Sequence, residues 1–273
     1  MSFRALRHLD FRLLWIGLAV SIGTWMQIVA QGLLVLKITH GSAFALGCVS
    51  LAQALAFLFF ALVGGTVADR VDKRRLLLFT QSGSAALAIL FGFLTLSGGI
   101  RLWMVLALAF LNGTLLSFDQ PTRGVLLPVL VPKEDHGNAI SLQSMIFNGA
   151  STIGPALAGF GVAAFGYAGN FFLNAASFVG VLAALYAMRV PQTVSDGASV
   201  VDAIQSALAT VRCDAVLPWA LTGYATLLFL GPSSALILPV YAVKILTLDP
   251  SILDFCFRPP GLGPSQARCF WLR

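Results

Sequence analysis

The residues with the clearest potential for chemistry lie in residues 64–75, GGTVADRVDKRR, which we call the charged segment. It gathers two acids and four bases in a chain whose charged residues make up only 10% of the total. Opposite charges at this spacing can form ion pairs, and a carboxylate beside the C-terminal end of its own helix requires a cationic partner or a helix N-terminus. The charged segment therefore predicts a contact held by paired charges.

The elements that position this segment must be membrane helices. The chain has 273 residues, 58% of them hydrophobic, and its mean hydropathy is +0.88, which is more apolar surface than a water-soluble core of this length could hide. A helix needs about 20 apolar residues to cross a hydrocarbon core about 30 Å thick. We predict an all-α polytopic membrane protein with transmembrane helices over residues 13–36, 43–68, 76–97, 102–118, 139–165, 167–188 and 217–243.

The distribution of basic residues predicts a cytoplasmic N-terminus, because cytoplasmic loops carry an excess of Lys and Arg. With this orientation Lys37, Arg101 and Lys244 lie outside, and the basic residues that lie inside are Arg4, Arg7, Arg12, Arg70, Lys73, Arg74, Arg75, Arg123, Lys133, Arg189 and Arg212. The net charge of +6 then reflects membrane topology, with lipid as the expected partner and no role in binding nucleic acid. The general excess of Lys and Arg in cytoplasmic loops would by itself also account for the basic residues of the charged segment, and this simpler interpretation stays open.

The charged segment resembles the signature G-x-x-x-D-R-x-G-R-R of the major facilitator superfamily, which lies at the same position between the second and third helices. Asp72 replaces the glycine of that signature, and we expect a left-handed turn there, which Asp tolerates better than most residues. The first glycine of the signature should let another helix approach closely. The resemblance implies a cytoplasmic gating latch, which holds the two halves of a carrier in one state of alternating access, made by Gly65, Asp69, Arg70, Lys73 and Arg74.

Further segments are similar to the enterobactin-exporter-like and macrolide-efflux-like branch of that superfamily. They are DFRLLW (residues 10–15), FDQPTRGVLLPVLVP (118–132) and GNAISLQSMIFNGASTIGPALAG (137–159). The resemblance implies a multi-pass protein of the bacterial inner membrane that exports small amphipathic molecules of drug or siderophore type by alternating access, with protons as the coupling ion.

FDQPTR also carries a separate pair of charges. Because Pro121 disfavours helical geometry at the residue before it, we expect the fourth helix to end near Phe118 and to place Asp119 at its cytoplasmic mouth. Arg123 or Arg70 would compensate the carboxylate. We predict that Asp119 and Arg123 join the charged segment in one cytoplasmic network, with a solvated surface pair as the alternative.

The fifth helix carries small residues at four-residue spacing, which lets helices pack backbone to backbone. Gly154, Pro155 and Gly159 also resemble in part the hinge motif in the fifth helix of antiporters, and this resemblance favours export over uptake. Packing without any role in transport is the alternative.

Candidate substrate-cavity residues are amides deep within the predicted spans: Gln27, Gln31, Asn112, Gln143 and Asn148. Bonding between helices is the alternative role for each of them. We expect no charged residue near the middle of the first six helices, so proton coupling would need groups outside them or at the cytoplasmic edge. The sequence shows no constellation for an enzyme, a metal or a cofactor, and no catalytic residue is predicted.

The resemblance also sets the expected domains. Residues 1–189 should form an N-terminal six-helix bundle of inverted 3+3 repeats, 190–215 a cytoplasmic linker and 216–245 a seventh helix. Residues 246–273 end in DFCFRPPGLGPSQARCFWLR, which cannot span a membrane, and we expect an aberrant, frameshifted or disordered tail on a truncated carrier. The alternatives are an inactive fragment and a half-transporter that dimerises. A seven-helix receptor is disfavoured by the cytoplasmic N-terminus.

Overall fold

The computed structural model describes residues 4–20, 22–188, 216, 218–220, 222–223 and 226. The predicted linker at 190–215, the tail at 246–273 and most of the predicted seventh helix lie outside these described residues. The domain boundaries drawn through those regions stay predictions.

The described chain is helical with short turns, and no strand occurs within it. Short 3-10 helices cover Arg4–Arg7 and Lys133–Asp135. The α-helices are α1 (Leu9–Val20), α2 (Ile22–Ile38), α3 (Ala43–Arg70), α4 (Lys73–Leu96), α5 (Leu102–Leu130) and α6 (His136–Ala187).

The length and polarity of these helices confirm the all-α membrane class. Within the described residues, the helices from α3 to α6 are each long and apolar enough to cross a bilayer. The first predicted span is described as two helices, α1 and α2, on either side of residue 21. Large apolar side chains lie on the outer surface, including Phe44 at 82% and Phe79 at 70% exposure, where lipid can cover them.

Helix α6 contains the predicted fifth and sixth spans, which meet where the sequence placed their boundary. Gly166 breaks the helix there with φ 71° and ψ 178°, a combination that in practice only glycine adopts. We refer below to the first part of α6, before Gly166, and the second part, after it.

The prediction that Pro121 ends the fourth helix is wrong, because α5 continues through Pro121 and Pro128 to Leu130. Proline lacks the N–H that would bond the carbonyl four residues earlier, here that of Ser117. This carbonyl lies so close to the backbone of Gly64 on α3 that a Cβ there would overlap it. Close packing against a glycine thus accommodates the irregularity within a continuous helix.

Helix α3 packs along α5, α2 and α1 pack on α6, and α4 contacts both α5 and α6. One apolar cluster joins the beginning of α1 to the end of α5 and the beginning of α6, and so brings the three family-like segments together: it includes Phe11, Leu14, Leu126, Leu127, Leu130, Ala139 and Leu142. Toward the other ends of the helices a second cluster contains the stacked rings of Phe91 and Phe171, 4.9 Å apart. The candidate site lies between the two clusters.

Candidate functional site

A cavity of about 280 Å³ opens between the beginning of α2, the middle parts of α4 and α5, and both parts of α6. One wall carries aromatic rings, with Trp25 and Phe147 in edge-to-face contact at 5.3 Å. The polar side chains that line it are Thr24, Gln27, Gln81, Ser84, Asn112, Asp119, Gln120, Arg123, Gln143 and Asn174. A pocket of mixed aromatic and amide character between helices can bind a small amphipathic molecule.

Small residues bring the helices of the cavity together. Gly154, on the first part of α6, lies against Trp25 of α2 so closely that a Cβ at Gly154 would overlap the Trp25 side chain. Gly113 of α5 is similarly in contact with the carbonyl of Gln53 on α3. The first contact sets the spacing of two cavity walls, α2 and α6, and the second holds α5 against α3, which contributes no residue to the described lining of the cavity.

An ion pair lies in the cavity wall. Arg123 donates from Nε to Oδ2 of Asp119 at 2.7 Å, one turn apart on α5, and each side chain is only 9% exposed. Oδ1 of Asp119 accepts hydrogen bonds from Thr80 at 3.0 Å and from Nε2 of Gln81 at 2.6 Å, both on α4. The carboxylate thus receives three hydrogen bonds, which offset much of the cost of burying its charge.

This geometry corrects two expectations about the charges of α5. Asp119 does not lie at a helix mouth but three residues from residue 116, the middle of α5. The pair is also buried rather than a solvated surface pair. The reason in both cases is that α5 does not end at Pro121, so the pair stays inside the packed helices. That the pair joins the charged segment in one network stays a prediction.

The candidate cavity amides divide into two groups by position. Gln27, Asn112 and Gln143 line the cavity. Gln31 is buried on α2, and Asn148 is exposed and donates to the carbonyl of Ser144 at 2.8 Å; neither lies among the described lining residues. Gln27 also accepts from Asn174 at 2.5 Å, so it bonds two helices while it faces the cavity.

Several lining residues were not among the sequence candidates. Gln81 lines the cavity and follows Thr80 in an otherwise apolar stretch, and Asn174 lines it one turn after Asn170, the spacing that Gln27 and Gln31 also have. These patterns could have identified them. No sequence pattern indicated that Trp25 lines the cavity, because an aromatic residue in a membrane helix more often faces lipid or the core.

In the charged segment, Asp72 begins α4 rather than forming a left-handed turn. Its φ of −52° is negative, and its side chain accepts from the backbone N–H groups of Arg74 and Arg75, as an N-cap residue does. The expected left-handed turn is therefore wrong. Asp suits the position because a carboxylate is favourable at the positive end of a helix.

Arg74 connects the charged segment to the end of α6. Its Nε donates to the carbonyl of Leu185 at 2.8 Å, its Nη2 donates to the carbonyl of Tyr186, and its guanidinium lies over the Tyr186 ring at 5.6 Å. A cation at the C-terminal end of a helix bonds carbonyls that have no partner within the helix. Arg74 thus attaches α4 to α6, a contact that the sequence did not predict.

The remaining residues of the motif differ in their surroundings. A Cβ at Gly65 would meet nothing within 4 Å, whereas Gly64 contacts α5, so among the described helices the close approach expected at Gly65 occurs at Gly64. Asp69 is exposed and forms no ion pair with a described residue. Lys73 is buried and Arg70 is partly buried.

Gly154, Pro155 and Gly159 all lie buried in the first part of α6, which continues helically through the proline. The contact of Gly154 with α2 is the close helix packing that the small-residue spacing indicates. A hinge at these residues stays a prediction.

The described residues contain no group of three or more His, Cys, Asp or Glu side chains placed to hold a metal ion. What they contain is a polar cavity enclosed by membrane-spanning helices, and this arrangement is typical of membrane carriers.

A profile of transmembrane secretion effectors, a family of the major facilitator superfamily, matches residues 1–265, and the chain belongs to this family. It is 32% identical to the staphyloferrin A transporter of Staphylococcus aureus over 139 residues, which are 50% of this chain and 35% of that protein. It is 29% identical to macrolide efflux protein A of Streptococcus pyogenes over 51% of this chain and 35% of that protein. It is 28% identical to the multidrug efflux pump Tap of Mycolicibacterium fortuitum over 65% of this chain and 44% of the pump. These matches span less than half the length of each relative.

Proposed function

We propose that this protein is a bacterial inner-membrane exporter of small amphipathic molecules that works by alternating access. The family supports a secretion role, and the similar proteins include two named for efflux and one named as a siderophore transporter. Residues 1–189 would form the N-terminal bundle of 3+3 helices, 190–215 the linker and 216–245 the first helix of the opposite half.

The cavity between the helices is the observation that carries this proposal. Its aromatic wall suits an apolar part of the substrate, and its amides suit carbonyl and hydroxyl groups. In the middle of a membrane these amides are costly unless they bond each other or a ligand. Asn112 has no hydrogen bond to a described residue, so its amide is available to a substrate.

Efflux measured in cells that lack their own export pumps tests the proposal. Erythromycin and a siderophore would be the substrates, because macrolide and siderophore transporters are among the similar proteins. Cells that express the protein should retain less of at least one compound than cells with an empty vector. Equal retention of both compounds would refute the proposed export.

Substitutions at two neighbouring residues distinguish substrate binding in the cavity from a general loss of folded protein. Asn112→Ala removes a cavity amide and should lower efflux several-fold at equal expression. Leu111→Ala changes the next residue of α5, whose side chain is 49% exposed on the outer surface, and should retain efflux. If both variants behave alike, the cavity does not bind the substrate.

We further propose that the charged segment is a cytoplasmic latch and that the N-terminus is cytoplasmic. Single cysteines at Arg75 and at Ser97, which lie near opposite ends of α4, test the orientation. A maleimide that does not cross membranes should label residue 97 and spare residue 75 in intact cells. The reverse pattern would overturn both the orientation and the latch.

Proton coupling is the energy source that we propose for export. Dissipating the pH gradient with nigericin should then abolish efflux while binding of the substrate remains. Efflux that is unchanged by nigericin and by a protonophore would exclude proton coupling but leave the export role intact.

A further inference from the structure

We propose that the cavity recognises a carboxylate of its substrate through Arg123. This inference rests on the proposed export function and assigns that function a class of substrate: small amphipathic acids.

The first observation concerns the bonds that Arg123 makes. A guanidinium has five N–H donors, and Arg123 uses Nε for Asp119. Neither of its terminal nitrogens has a hydrogen-bond partner within the described part of the chain. Both terminal nitrogens keep some exposed surface, since neither is one of the fully buried atoms without a partner, and Arg123 lines the cavity. The terminal nitrogens therefore face the cavity, where the planar guanidinium can bind two oxygens of one carboxylate.

The second observation is that neighbouring groups on α4 hold the carboxylate to which Arg123 is bonded. Thr80 donates to Oδ1 of Asp119 at 3.0 Å and Nε2 of Gln81 donates to the same oxygen at 2.6 Å. The Asp119 carboxylate is therefore fixed on one side by α4 and on the other by Nε of Arg123.

Asp119 positions the guanidinium. Because its two oxygens accept from Thr80, Gln81 and Arg123, the Nε edge of Arg123 is held at the carboxylate and its terminal nitrogens are left over. Asp119 and Arg123 are the charged residues among the described lining of the cavity. A cationic substrate would face a carboxylate whose oxygens are already bonded, whereas an acid meets the unbonded edge of Arg123.

The rings of Trp25 and Phe147 complete the site with an apolar surface. N-benzoylglycine carries both features in one molecule: a carboxylate for Arg123 and an aromatic ring for the apolar surface. Its carboxamide differs from it only in the charged group. The two compounds therefore form a matched pair of probes.

Calorimetric titration of the full chain in lipid nanodiscs tests the inference. The wild type should bind N-benzoylglycine at least about tenfold more tightly than its carboxamide, as a charge-assisted bidentate contact implies. Arg123→Gln should abolish this preference, because the acid then loses its charge-assisted contact. Arg101→Gln removes an exposed arginine at the beginning of α5 and should keep the preference.

Removing Arg123 alone leaves a buried carboxylate without its cation, and this variant could fail to fold. The double variant Asp119→Asn, Arg123→Gln keeps a neutral hydrogen-bonding pair of similar shape, and it should fold and show no preference for the acid. Asp119→Asn alone keeps the guanidinium but removes the carboxylate that orients it, so it should prefer the acid less than the wild type does and more than the double variant does. A wild-type preference for the acid in the double variant would contradict the inference.

The inference fails if the wild type binds the acid and the carboxamide equally, or if it does not bind the acid at millimolar concentration. Either result leaves export of erythromycin or a siderophore untouched, so the failure is distinct from failure of the proposed function. Conversely, cells that export neither compound would refute the function whatever the binding preference.

Discussion

Breaking the Asp119–Arg123 pair should show how strongly the buried charges stabilise the helices around the cavity. The atoms Oδ2 and Nε are 2.7 Å apart and each side chain is 9% exposed. At an effective dielectric constant of about 20, unit charges at this separation attract by about 6 kcal/mol. Desolvation cancels part of this attraction, and removal of one partner from a buried pair costs about 3–5 kcal/mol.

The assay is a double-mutant cycle of Asp119→Asn and Arg123→Gln, read as the free energy of unfolding in detergent. Each single variant should lose about 3 kcal/mol, and the double variant should lose at least about 2 kcal/mol less than their sum. If helices of this size follow soluble domains of 150–250 residues, each single variant would melt about 6–12 °C lower than the wild type.

An exposed pair on the same protein provides the control. Arg75 lies 3.9 Å from Asp72, and its side chain is 82% exposed. Arg75→Gln should change stability by less than about 1 kcal/mol. If the single variants at Asp119 and Arg123 lose no more free energy of unfolding than Arg75→Gln does, and their effects add strictly in the double variant, then burial does not make the pair important.

Three further substitutions test close contacts elsewhere in the fold, each by thermal unfolding at equal expression. Gly64→Ala should destabilise the protein by about 2 kcal/mol or more because its Cβ would overlap the α5 backbone, whereas Gly65→Ala should be tolerated. Equal effects of the two substitutions would contradict the close contact between Gly64 and α5. Arg74→Gln should cost about 1–2 kcal/mol of stability and speed hydrogen exchange at the end of α6, since two carbonyls there lose a donor. Unchanged exchange would show that Arg74 does not stabilise the end of α6. Gly166→Ala should cost about 1–3 kcal/mol because of its positive φ, whereas Gly149→Ala, in an open helical position, should be neutral or stabilising.

The membrane class and most of the helix boundaries could be predicted from the sequence. Runs of apolar residues determine a span directly, because the backbone inside a bilayer must bond itself. The boundary between the fifth and sixth spans was placed at Gly166, where the helix breaks. The family resemblance rested on short motifs, and the profile match confirms the family.

The site was harder to predict because its geometry depends on contacts between helices distant in sequence. Local chemistry at Pro121 favoured a helix end, but α5 continues through Pro121 while the Ser117 carbonyl lies against Gly64 of α3. That continuation determines where Asp119 lies. The same dependence explains why the close contact involves Gly64 rather than Gly65: the motif spacing gives no information on which glycine faces the neighbouring helix.

By itself, the sequence determined that this protein is a bundle of membrane helices and that its charged segment lies at the junction of two of them, at the end of α3 and the beginning of α4. The length of an apolar run and the charge of a segment are properties of a continuous stretch of chain, so both can be determined from the sequence without knowledge of tertiary contacts. Only the tertiary structure decided which polar groups face the cavity and that Asp119 and Arg123 form a buried pair in its wall. Burial and pairing depend on the surface that the other helices cover, which no single helix specifies.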